Sequence, residues 1–252
     1  HCSNVFASGK SVFQNGLDFK GVAIRGNAHF NSTRFYSQTF FDEVSFGGSA
    51  IFLNAHFHSF VSLEKSEFRQ YACFDNSVFE GEADFIKASF GTSSSFQRAD
   101  FKLSTNFRDA VFSKEVPKFF GSRLPRNITI SSRPSKWPVP QSAYASESKN
   151  CYEDLALSMR ELNKTDEEQF FLRQEMRCKA TLANSAIERF GFSFYEKVSD
   201  FGWSYEKPLY WLAFIWVWGF VLFWGGFHFS GGLRVKRAYS RPPFLGGNWI
   251  VL

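Results

Sequence analysis

Residues 79–112 read FEGEADFIKASFGTSSSFQRADFKLSTNFRDAVF. Phenylalanine recurs there at positions 79, 85, 90, 96, 101, 107 and 112, in steps that alternate between six and five. Upstream, the same rhythm runs back through Phe74, Phe68, Leu63, Phe57, Phe52, Phe46, Phe41, Phe35, Phe30, Ile24 and Phe19 to Phe13. Eighteen consecutive intervals keep it, so the true period is eleven. Self-similarity at a fixed period is the mark of a repeat array.

A second column accompanies the first. Two residues before nearly every large residue stands a small one, as in Ala83, Ala88, Ser94, Ala99, Thr105 and Ala110; Leu17 is the bulky exception. A spacing of two puts both side chains on one face of an extended segment. Each repeat is therefore expected to be a very short strand that buries one large and one small residue. A helix does not fit, because steps of five and six turn by about 140° and 240° around a helix axis. Hairpin strands usually run to five or six residues with distinct turn signals between them, and no such runs occur. What is left is a solenoid whose chain turns after every repeat, with coils stacked at about 4.8 Å.

The triplets Ala83-Asp84-Phe85, Ala88-Ser89-Phe90 and Ala99-Asp100-Phe101 resemble those of the pentapeptide-repeat proteins. The resemblance implies a mainly β fold, a right-handed quadrilateral β-helix with four repeats per coil. The usual step in that family is a uniform five. Here every second step is six, so a coil should hold 22 residues, and Phe13, Phe35, Phe57 and Phe79 are indeed 22 apart. Nineteen repeats then make about five coils, a rod on the order of 24 Å long. The expected structural core is Phe30, Phe35, Phe41, Phe46, Phe52, Phe57, Phe68, Phe74, Phe79, Phe85, Phe90, Phe96, Phe101, Phe107 and Phe112. The open ends of such a rod need caps against edge-to-edge association.

Five segments are expected: the β-helix over 1–116, a Pro/Ser-rich capping linker over 117–147, a helical hairpin and juxtamembrane segment over 148–207, a transmembrane helix over 208–230, and a basic tail with the start of an apolar segment over 231–252. The linker carries Pro117, Pro125, Pro134, Pro138 and Pro140. Tyr152, Leu155, Met159 and Leu162 then form a helical stripe. Thr165 with Glu168 reads as a capping box for a second helix, whose stripe is Leu172, Met176, Ala183, Ile187 and Phe190. The two stripes should pack on each other; an oligomer contact is the alternative.

From Leu209 to Phe229 the chain runs 21 residues without a formal charge, the length that crosses a hydrocarbon core of about 30 Å. Trp203, Tyr205, Tyr210 and Trp211 crowd one end and Trp224 lies near the other, as interfacial aromatics do. The anchor residues are Leu209, Trp211, Trp216, Trp218, Phe220, Phe223 and Trp224; Gly219 among them suggests close helix packing. The segments 170–176 and 199–209 are similar to the junction of membrane-anchored bacterial pentapeptide-repeat proteins, which implies the bacterial inner membrane. Four basic residues follow the span (Arg234, Lys236, Arg237, Arg241) against Lys197 and Lys207 before it. That count favours a cytoplasmic C-terminal side. Export of the preceding domain would need a signal that the chain does not display, so a cytoplasmic solenoid is expected. The chain opens at His1 and stops inside the apolar run 249–252, so it reads as a piece of a longer protein.

Net charge is +5. Residues 1–130 hold 14 Lys and Arg against 12 Asp and Glu, a net of +2. Some pentapeptide-repeat proteins mimic DNA, and mimicry needs a strongly negative rod, since duplex DNA carries one charge per about 1.7 Å. A nearly neutral rod argues against that role, and the lack of a basic stripe argues against nucleic-acid binding. Cys2, Cys73, Cys151 and Cys178 have neither metal nor disulfide spacing, and Cys73 is expected to face outward. His56 and His58 flank Phe57 and should point into solvent; Glu80 is the one further ligand in register. No nucleophile elbow or phosphate loop occurs, and Gly225-Gly226 and Gly231-Gly232 lack a nucleotide-site context. The reading is a non-enzymatic, membrane-anchored scaffold with no cofactor, the lipid bilayer and an unidentified protein as partners, and homo-oligomerisation as an option. The second reading is a regulatory or assembly domain of an ion channel or transporter whose pore lies beyond Leu252. A topoisomerase-directed DNA mimic comes third.

Overall fold

The structure is a computed structural model and describes residues 3–7 and 11–230. The basic tail and Cys2 lie outside the described residues. The chain divides into two compact units, His1–Trp203 and Ser204–Leu252.

The first unit begins with a parallel β-solenoid of about six turns. Its strands are two or three residues long, and they stack into four sheets of five, five, six and five strands, one per side. Register follows the 22-residue coil: Phe35 pairs with Phe57, Phe57 with Phe79 and Phe79 with Phe101. The inward rings of each side pile up along the axis. On one side the centroids are 5.4 Å (Phe13–Phe35), 4.7 Å (Phe35–Phe57), 4.9 Å (Phe57–Phe79) and 4.5 Å (Phe79–Phe101) apart, with planes within 7° of parallel. Rings from opposite sides meet edge-on across the axis instead, as Phe41 does Phe52 at 5.5 Å and 76°. Offset-stacked and edge-to-face pairs are the two favourable aromatic geometries, each worth about 0.5–1.5 kcal/mol beyond area burial. Hydroxyls of the small column bond to carbonyls inside the rod, while that of Ser94 finds no partner. Buried Ser66 donates to the Leu63 carbonyl at 2.6 Å, and Ser77 to the Phe52 carbonyl at 2.6 Å.

The alternating step has a backbone cause. Each five-residue step contains a tight turn, with the amide of the fourth residue donating to the phenylalanine carbonyl, as in Ala55 to Phe52 (3.0 Å) and Ala88 to Phe85 (3.0 Å). The third residue of each turn has positive φ: Gly21 (68°), Ser32 (56°), Glu43 (57°), Asn54 (55°), Lys65 (55°), Asn76 (54°), Lys87 (55°), Arg98 (55°) and Asp109 (59°). This is the type II turn. The six-residue steps round their corners without it. Stacked corners there approach closely, and a Cβ on Gly81 would stand 2.3 Å from the Ser59 carbonyl carbon.

The ladders run past residue 116. Phe119 stacks on Phe96 at 4.9 Å, and Thr129–Ile130 pairs with Asn106 and Phe107. Both join at an offset of 23 in place of 22, and that slip hides the last coil from the sequence rhythm. Trp137 closes the end. Its ring lies 5.0 Å from Phe112, and its Nε1–H donates to the Ser131 carbonyl at 2.7 Å. Helices α1 (Ala145–Glu161) and α2 (Thr165–Leu182) cover Trp137 with Tyr152 at 5.9 Å and Phe171 at 4.9 Å. The rod and the hairpin thereby share one core.

Several helical expectations need correction. Thr165 is the first residue of α2, whose N-cap, Lys164, makes no side-chain cap bond. Glu168 accepts from Arg160 at 2.7 Å instead of capping. The buried face of α2 is Phe170, Phe171, Gln174, Glu175 and Cys178, while Leu172 and Met176 are only half-buried. The helix also ends at Leu182. Ile187 and Phe190 belong to a third helix, α3 (Ala186–Ser199), which has its own capping box on Ser185 and Glu188. Cys73 is buried rather than outward; it ends the three-residue strand Tyr71–Cys73 and pairs in register with Ile51 and Ser95.

The second unit contributes α4 (Glu206–Ser230). The Ser204 hydroxyl accepts from the Lys207 amide at 3.3 Å. Pro208 sits in the first turn, where a missing N–H breaks no helical bond.

Candidate functional site

One side of the solenoid carries two adjacent columns of titratable and aromatic side chains. It is built by the strands Val12–Phe13, Arg34–Phe35, His56–Phe57, Val78–Phe79 and Asp100–Phe101. Because strand side chains alternate, the residue on each flank of an inward phenylalanine faces out. Parallel in-register stacking then lines these residues up coil after coil. One column is Tyr36, His58, Glu80 and Lys102; its neighbour is Arg34, His56, Val78 and Asp100.

Glu80 is the hub. Its Oε2 lies 2.9 Å from His58 Nδ1 and its Oε1 3.1 Å from His56 Nε2; Lys102 Nζ approaches Oε1 at 3.3 Å. An ionised carboxylate only accepts, so His58 carries its proton on Nδ1. The bonds from His58 and His56, and then Lys102, hold the Glu80 carboxyl down at about 2 from its ordinary 4.5. The His58 ring stacks on Tyr36 at 4.3 Å and on His56 at 3.8 Å. At the end of the neighbouring column Asp100 meets Arg123 at 3.7 Å.

Among the described residues, His56, His58 and Glu80 form a group whose ligand atoms lie within 4.8 Å of one another. Their geometry suits a carboxylate hydrogen-bonded by His58, with His56 close beside it, better than a metal. A metal lies in the plane of each imidazole that binds it, about 2.0–2.1 Å from nitrogen. The two ring planes are 3.8 Å apart at centroid and tilted by only 19°, so they meet well beyond the rings. The column is thus a hydrogen-bonded, partly buried ladder of mixed charge and aromatic character, able to bind a complementary polar surface. It holds no nucleophile paired with a base.

The sequence reading placed the two histidines in solvent and named Glu80 as the register partner. Tyr36 and Lys102 were missed, although adding or subtracting the coil length from His58 and Glu80 leads to both. The fifteen phenylalanines of the expected core are buried in the solenoid. Leu209, Trp211, Trp216, Trp218, Phe220, Phe223 and Trp224 all lie on α4 and are exposed. The three thiols of the described residues are free and buried. Burial pushes Cys151 up to about 12 and Cys178 up to about 11, far from nucleophilic at neutral pH.

A family model described as pentapeptide repeats (9 copies) matches residues 19–67 and again 63–111. No curated protein and no solved structure matches the chain. The two overlapping matches coincide with the stacked coils, their four sheets and their buried phenylalanine column, and the solenoid of residues 19–111 belongs to the pentapeptide-repeat family.

Proposed function

We propose that this protein is a non-catalytic scaffold, anchored in a membrane by α4, that presents the faces of its solenoid to a protein partner. One observation carries the anchor. Glu206–Trp224 has a mean hydropathy of 1.3, and none of it is buried. A helix that is apolar all round has to be buried in a protein core or in lipid, and a span of this length suits the bilayer. The rigid rod supports the scaffold part of the reading: among the described residues its surface offers aligned polar columns and no catalytic constellation. The bacterial inner membrane, with the solenoid on the cytoplasmic side, is the setting that fits the sequence best.

Fractionation tests the anchor. The full chain should stay with membranes through alkaline carbonate washing, and a variant lacking 204–230 should be soluble. Recovery of the full chain in the wash would end the reading. For the partner, cross-linking from the ladder face should capture one protein, and Glu80→Lys with Lys102→Glu should abolish that capture while the folded chain keeps its strand signature in circular dichroism.

A further inference from the structure

Helix α3 is built the wrong way round for a soluble protein. At 100° per residue, Ile187, Phe190, Phe194 and Val198 fall within about 80° of one another, while Arg189 and Glu196 lie opposite. The apolar edge is the outer one: Ile187 is 82%, Phe190 71% and Phe194 56% exposed. The polar edge is the one held to the protein. Glu196 pairs with Arg177 of α2 at 2.9 Å, and Asp200, just past the helix, pairs with Arg173 of α2 at 2.9 Å. No residue of α3 is buried.

We infer that α3 is an interfacial helix, lying in the headgroup zone of the bilayer with Ile187, Phe190 and Phe194 in the acyl boundary. The inference rests on the membrane reading of α4. Three observations favour lipid as the occupant. Only residues 200–205 separate α3 from α4, a tether of about 20 Å at full stretch, so a bilayer that takes up α4 is within reach of α3. Those residues include Trp203 and Tyr205, and the second turn of α4 carries Tyr210 and Trp211; such aromatics concentrate at the membrane–water boundary. Finally, α3 has the large apolar edge and separate polar edge of helices that lie in the interface plane. Its charges balance, Glu188 and Glu196 against Arg189 and Lys197, so apolar burial rather than anionic lipid should hold it, and zwitterionic vesicles should suffice.

The test uses the full chain reconstituted in phosphatidylcholine vesicles, with an environment-sensitive nitrobenzoxadiazole label on one introduced cysteine at a time: Ile187→Cys, Phe194→Cys, Arg189→Cys and Val217→Cys. The native described thiols are buried, and unsubstituted protein gives the background. The expected result is blue-shifted emission at 187 and 194, quenched by lipids brominated high on the acyl chain, with 189 quenched by aqueous iodide and 217 by deeply brominated lipid. Water-like emission at 187 and 194 with 217 still in lipid would overturn the inference and leave the anchor standing. Iodide quenching at 217 would overturn both. Labels at 187 and 194 shielded from bromine and from iodide alike would mean a protein surface, including a second copy, covers α3, and would also overturn it. As a second readout, Phe190→Glu with Phe194→Glu should shift the 187 emission to that of water while leaving 217 unchanged.

Discussion

At the scale of single residues, the corners of the solenoid carry a recurrent strain. The third position of every type II turn demands positive φ, and Lys65, Lys87 and Arg98 meet it at 55° although a Cβ there costs about 1–2 kcal/mol. Glycine escapes that cost but loses about 0.5–1 kcal/mol more conformational freedom on folding. Lys87→Gly should therefore stabilise the rod by about 0.5–1 kcal/mol, read as a rise in denaturation midpoint; a fall would mean that the lysine side chain contributes more than the turn strain takes away. Glu80 gives a prediction in pH. Its folded value of about 2 lies below its ordinary 4.5. A depressed carboxylate adds stability that is fully present above the ordinary value and is lost as pH falls toward the folded one. Wild type should melt above Glu80→Gln at pH 5, and the margin should close between about 4.5 and about 2. A margin that persists at pH 2 would show that the carboxylate is not its source.

At the scale of elements, the end of the rod depends on one side chain. Trp137 covers Phe112 on one face and meets Tyr152, Phe170 and Phe171 on the other. Truncating a buried aromatic costs about 3–5 kcal/mol. Trp137→Ala should lose that much in chemical denaturation and should also uncouple α1 and α2 from the solenoid, seen as a second unfolding transition; a single transition near the wild-type midpoint would deny the cap its role. Legibility varied sharply between elements. The solenoid could be read from Phe13 to Phe112 because burial of one large and one small residue per strand leaves a strict periodic trace. The last coil could not, because the slip from 22 to 23 breaks the rhythm while Phe119 still finds Phe96. In the helices, a shared 3.6-residue period let the stripe run on from Leu172 to Phe190, and the break at Ala183 is made by a capping box on Ser185 that a stripe alone does not reveal. The ladder's hub was half legible: Glu80 follows from the coil length, but its pairing with two stacked imidazoles is a matter of rotamers.

At the scale of the whole molecule, the uniform coil makes length and facing separable. Residue 46 pairs with residue 68, so excising residues 46–67 joins equivalent positions. The shortened chain should fold to a rod one coil shorter, with strand content by circular dichroism reduced in proportion and a single unfolding transition for the solenoid. Loss of the fold would show that some coil is unique rather than interchangeable. Excising residues 46–56 removes only two of the four sides of a coil. Every side chain downstream should then appear on the opposite side of the rod, with Glu80 and Lys102 transposed together and the core rings still stacked. Heritable length variation in such a rod is thus quantised. Gain or loss of a full coil changes how far a face extends and half a coil changes which way it looks, so natural variants of this chain should differ in steps of eleven residues within the 22-residue coils, with one-residue slips such as the offset of 23 confined to the last coil.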